Sequence, residues 1–148
     1  MRKRNLALFV LLGALIIQTP TAEAKTSLTL AKTMIRSLYY GQQQAAQKGI
    51  AADRNYIAAH LYPGMYLNPQ ECLKSWAGAG AGVPDLSTLD YDPYWKLPTG
   101  VNQNKLSGKK PKGEIFVLDV NWPAGLQTNH VAILNGKAYY FLAICGLS

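Results

Sequence analysis

Cysteine and histidine are scarce here, two of each in 148 residues. Two cysteines exclude a disulfide-dense mini-protein, and no Cys/His spacing supports a structural zinc site. Acidic side chains are also few, 8 against 15 Lys+Arg, which leaves a formal charge of +7. Charge as a whole is sparse at 16%, while 49% of residues are hydrophobic. That balance excludes a disordered composition. Past Ile17 no apolar run is long enough to cross a bilayer. The length suits one domain and leaves no room for a second core.

What is present begins with an address. Arg2-Lys3-Arg4 precedes an apolar run from Leu6 to Ile17, and Ala22-Glu23-Ala24 puts small residues where a signal peptidase needs them. Residues 1–24 are therefore expected to be a secretory signal peptide cleaved before Lys25. An apolar run of about twelve residues is short of the ~20 that a membrane anchor requires. Residues 25–148 are then one α+β domain in a periplasmic or secreted setting. That compartment is oxidising, and there two cysteines read first as a disulfide.

Hydrophobic spacing predicts a helix from Ser27 to about Lys48, through Leu28, Ala31, Ile35, Leu38 and Ala45, ended by Gly49. Asp53 reads as the N-cap of a second helix that Pro63-Gly64 stops. Asn68-Pro69-Gln70-Glu71 specifies a third helix start, carrying Cys72, Leu73 and Trp76. From Val83 to Lys112 the chain reads as a packed loop with one short strand. The last third changes to a two-residue period. Glu114–Trp122, Thr128–Leu134 and Ala138–Cys145 form a three-stranded meander within 113–145. Asn135-Gly136 is a strong type I′ turn signal, which sets Ala132 opposite Tyr139 and His130 opposite Phe141. His130, Tyr139, Phe141 and Cys145 then share one face, and Val131, Tyr140, Leu142 and Ile144 the other.

Cys72 supports two readings. Bonded to Cys145, it ties the third helix to the last strand and lays the helices over the His130, Tyr139 and Phe141 face. Closing a loop of about 70 residues contributes roughly 4 kcal/mol in the chain-entropy picture. Alternatively, the first turn of a capped helix lowers a thiol's pKa and makes Cys72 a nucleophile with His130 as base. Lys112-Gly113-Glu114-Ile115-Phe116-Val117 followed by Asn129-His130-Val131-Ala132-Ile133 resembles the NlpC-type and cysteine–histidine-dependent cell-wall amidohydrolases. That likeness implies a peptidoglycan-directed amidase or peptidase.

A second resemblance covers nearly all of residues 25–148. Helices, an irregular aromatic stretch and a closing meander look like the nuclear transport factor 2-like cone in its exported bacterial form. Leu89-Asp90-Tyr91-Asp92-Pro93-Tyr94 and Asn135-Gly136-Lys137-Ala138-Tyr139-Tyr140 are the segments most similar to it. The likeness implies a pocket between helices and curved sheet and a non-catalytic binding or accessory role. His130, Tyr139 and Phe141 are the expected pocket lining. Some members of that fold catalyse with an Asp base and a Tyr donor. Asp119, however, alternates away from Phe116, Leu118 and Val120, and Asp90 and Asp92 suit turn formation before Pro93.

Other patterns have bland readings. Lys105, Lys109, Lys110 and Lys112 form a basic cluster, either a solvated loop or a contact to an anionic envelope component. Nucleic acid is not an expected partner, because no recognition motif is present. The Gly78–Gly82 run lacks the Lys-Ser/Thr of a phosphate loop, no nucleophile elbow occurs, and no cofactor or metal is expected. The partner is an unknown protein or small molecule, or a second copy of the chain covering Val131, Tyr140, Leu142 and Ile144.

Overall fold

The computed structural model describes residues 25–63, 73, 80–96 and 112–141. Among the described residues two N-terminal helices precede a four-stranded antiparallel sheet of order β1-β2-β3-β4, an α+β arrangement. The expected signal segment 1–24, Cys72, Cys145, the lysines at 105–110, Leu142 and Ile144 lie outside the described residues, as does the expected third helix apart from Leu73, which is helical and buried.

Helix α1, Leu28–Gln47, starts where Ser27 accepts the Leu30 N–H at 3.3 Å. Its buried stripe is Ala31, Ile35, Leu38, Tyr39, Gln42 and Ala45, the three- and four-residue rhythm of one helix face. Gly49, at φ 111°, turns the chain directly into α2, Ile50–His60. Asp53 is therefore not the cap of α2 but a first-turn residue, and it is 1% exposed. Only Lys48 and Gly49 lie between the two helices, so α2 begins four residues earlier than a cap at Asp53 would place it.

Strand β1, Val83–Tyr91, spans nine residues where one short strand was expected. Pro84, Asp85, Ser87 and Thr88 read as loop in the sequence because the strand is irregular. Its pairing with β2 shifts between Asp85 and Asp90. At that interruption the Thr88 hydroxyl accepts the Asp119 N–H at 2.9 Å, so a side chain replaces the missing ladder partner.

Strands β2, Glu114–Trp122, β3, Gly125–Leu134, and β4, Lys137–Tyr140, form the meander. Asn135 at φ 51° and Gly136 at φ 73° make the tight turn between β3 and β4. Ala132 pairs with Tyr139 as the turn chemistry predicts, and Phe141 donates its N–H to the His130 carbonyl at 3.2 Å. Beyond β4, Leu61 bridges Tyr140 in parallel, and Tyr62 donates to the Tyr140 carbonyl at 3.0 Å. The chain leaving α2 thus covers the open edge of β4.

The face assignment is corrected. The helices pack on the Val131 and Tyr140 face, not on the His130, Tyr139 and Phe141 face. Register carries the reason: Phe116 pairs with Val131, and Val131 with Tyr140, so the apolar row of β2 continues across the sheet. That row meets Ala31, Ile35, Leu38, Tyr39 and Ile57 in one core. Tyr39 lies edge-on to Tyr140 at 5.4 Å and tilted to Trp122 at 6.1 Å. Val131 and Tyr140, at 0% and 1% exposure, are not an open surface for a second copy.

Candidate functional site

The face away from the helices gathers the predicted lining residues. His130, Tyr139 and Phe141 share it with Ile115, Val117 and Ala132 by the β2–β3–β4 register. Tyr62, Ile115, Ala132 and Phe141 form a second buried cluster, with Trp95, Leu134 and Tyr139 packed against it. Trp95 meets Phe141 edge-on at 4.7 Å, and Tyr62 meets it at 5.2 Å. The Tyr62 hydroxyl donates to the Lys112 carbonyl at 2.8 Å, which pins the aromatic group to the chain entering β2. The expected pocket lining is therefore brought together, but on the outer side of the sheet.

At the rim of this cluster stands a polar pair. Asp92 follows β1 and is held by its N–H to the Ile115 carbonyl at 2.9 Å. One carboxylate oxygen accepts the Tyr94 N–H at 3.2 Å, the turn role expected before Pro93. The other oxygen lies 3.5 Å from His130 Nε2. That separation is long for a hydrogen bond but close enough for an ion pair once the ring is protonated. Both side chains are about a third open to solvent, 31% for His130 and 27% for Asp92. Asp85, Asp90 and Asp119 share this face through the β1–β2 pairing, so it is rich in carboxylates. Asp119 accepts the Thr128 hydroxyl at 2.7 Å.

Desolvation pushes His130 below its ordinary pKa of 6.5, while the Asp92 carboxylate pulls the other way. The ring is mainly neutral at pH 7 and able to accept a proton or a hydrogen bond. A folded pKa below the unfolded one means the unfolded chain binds more protons near pH 6. Stability from this group is therefore present above pH 6.5 and falls as pH drops through the folded pKa. Asp92→Asn removes the opposing pull, so the His130 midpoint in an NMR titration is expected to move lower still. A midpoint unmoved by Asp92→Asn shows that the two groups are not coupled.

Sequence reasoning missed a second polar group, inside the helix–sheet interface. The Tyr140 hydroxyl donates to Gln42 Oε1 at 2.7 Å, and Tyr56 donates to the Leu38 carbonyl at 2.9 Å. Burial drives the phenols of Tyr39 and Tyr140 well above their ordinary pKa, and the nearby Asp53 charge adds to the shift at Tyr140. Tyr39 Oη and Gln42 Nε2 find no partner among the described residues. Tyr39, Tyr40 and Tyr56 crowd the helical segments of the sequence, and that is the one signal for it. Asp53, read as a cap, gave none.

Among the described residues no group of three or more His, Cys, Asp or Glu side chains could hold a metal ion. No described helix is long and apolar enough to cross a membrane. No protein family, curated protein or solved structure matches the chain.

Proposed function

We propose that the protein is an exported, non-catalytic binding or accessory module that recognises its partner with the outer sheet face. The observation that carries this reading is the half-open His130–Asp92 pair at the edge of the Trp95, Tyr139 and Phe141 cluster. A few polar groups converging on an apolar wall are the usual composition of a recognition site. The carboxylates of this face favour a partner that presents cationic or hydrogen-bond-donating groups. Export rests on the residues of 1–24. The likeness to the nuclear transport factor 2-like cone is supported by the element order and by the Asp53, Gln42, Tyr39 and Tyr140 group between helices and sheet.

A photo-crosslinking amino acid at Tyr94, 77% exposed beside Asp92, is expected to yield one discrete adduct in the envelope fraction of producing cells. The same probe at Tyr40, 60% exposed on α1, is expected to yield none. Equal labelling at both positions, or a protein confined to the cytosol, refutes the reading.

One observation favours the cysteine hydrolase as second reading. A nucleophile's imidazole base needs an orienting polar group, and Asp92 stands beside His130. Intact mass after alkylation, with and without reductant, separates the two. A Cys72–Cys145 bond leaves no nucleophile. A free, fast-alkylating Cys72 whose reactivity falls with His130→Ala, together with murein cleavage lost in Cys72→Ala, establishes the hydrolase.

A further inference from the structure

Lys25 and Thr26 lead into the Ser27 cap of α1, and both turn their backbone nitrogens to one carboxylate. Glu114, first residue of β2, receives the Thr26 N–H at 3.0 Å, the Thr26 hydroxyl, and the Lys25 nitrogen in a still closer contact. Glu114 pairs with Ile133, which lies in the helix-side core, so its side chain rises on the face that α1 covers. In the uncleaved chain the Lys25 nitrogen is an amide and can donate only one hydrogen. Signal cleavage changes that. A peptidase uses water to split the Ala24–Lys25 amide. The Ala24 acyl carbon keeps the hydroxyl as a carboxyl group, the Lys25 nitrogen takes the hydrogen, and the resulting amine binds a proton from solvent.

We propose that processing before Lys25 creates a new ion pair, in which the freed α-ammonium docks on the waiting Glu114 carboxylate and staples the start of α1 to the start of β2. This rests on the export reading above. The chemistry is complementary: the carboxylate already collects the donors of Thr26, and an ammonium offers three hydrogens and a full charge in place of one amide dipole. No acid lies in the first turn of α1 to compete. The other charged side chains on α1, at the start of β2 and on β4 are Lys32, Arg36, Lys112 and Lys137, all cations, as is the Lys25 side chain itself. Each lowers the amine's pKa; α2, packed on α1, carries the buried Asp53, and Glu114→Gln separates the Glu114 share of a rise from that of Asp53. Asp119 and His130 lie on the opposite face of the sheet.

The sign follows from linkage. An amine whose folded pKa is raised adds stability that is complete below its unfolded pKa and vanishes as pH rises through the folded one. The test uses a chain beginning at Lys25, released from a fusion by a protease that leaves no extra residue, and the same chain preceded by Ala24. In an NMR titration the Lys25 α-amine is expected to titrate about one unit or more above the roughly 7.7–8.0 of an unpaired terminus. Glu114→Gln is expected to return it to that range. The Lys25 chain should also unfold at higher temperature than the Ala24-extended chain at pH 6.5, and the gap should close by pH 10. An amine in the unpaired range with no gap in melting temperature overturns the staple and leaves export standing. N-terminal sequencing of the cell-made protein that starts anywhere but Lys25 overturns it through the export premise instead.

Discussion

Val131→Asp should leave no cooperative unfolding transition at 25 °C, whereas Gln127→Asp four residues earlier on the same strand should unfold like the parent. Val131 is 0% exposed and sits between Phe116 and Tyr140 in register, under α1. The substitution forfeits the burial of an aliphatic side chain, about 1.5–3 kcal/mol. It also places a carboxylate where the described surroundings are Ile35, Leu38 and Tyr39 rather than a cation. Leaving a charge buried and unpaired costs several kcal/mol more. Together these reach the whole stability of an ordinary domain, about 5–15 kcal/mol. Gln127 is exposed, and surface changes of this kind stay within about 0.5 kcal/mol. Urea unfolding followed by circular dichroism reads both. A Val131→Asp protein with the parental midpoint would mean that this face is open, and the helix placement would be wrong.

That experiment falls where sequence and structure part. Turn chemistry at Asn135-Gly136 determines which residues of β3 and β4 share a face, because side chains alternate and the turn sets register. It does not say which face meets the helices. Both faces of the hairpin are apolar, and Ile115 and Phe116 are buried on opposite sides of β2, so hydrophobicity alone could not choose. The information lay in the next pairing: Trp122 opposite Gly125 carries the Phe116, Leu118 and Val120 row onto Val131, then onto Tyr140.

The candidate site was legible only in halves. His130, Tyr139 and Phe141 could be grouped from one hairpin. The Asp92 partner could not, since it arrives through β1 and an irregular stretch of pairing that no local pattern announces. For the same reason Pro84, Asp85, Ser87 and Thr88 looked like loop. The Asp85 carboxylate and the Thr88 hydroxyl take up N–H groups at the interrupted ladder, which is a tertiary fact rather than a propensity. Asp53 has the residue type of a helix cap and the setting of a core residue, and only the placement of α2 against α1 and β4 decides between them.

Gly113→Ala is expected to cost several kcal/mol, far more than Gly136→Ala, although both glycines have positive φ. At Gly113, φ is 89°, and an added Cβ would stand 2.4 Å from the Ile133 carbonyl oxygen. No real contact is that short, and the obstacle is backbone. Relief therefore requires β2 and β3 to separate where Glu114 pairs with Ile133. At Gly136, φ is 73° and nothing lies within 4 Å of the same Cβ. There the cost is the conformational penalty alone, about 1–2 kcal/mol. The difference between the two variants thus isolates the steric part. Its consequence is local to function as well, because Gly113 immediately precedes the residue that receives Thr26 and Lys25. In Gly113→Ala the amide protons of 114–116 should exchange faster than those of β3's far end, while Gly136→Ala should leave 114–116 protected. Equal destabilisation by the two substitutions would mean that β2 enters the sheet along a different path.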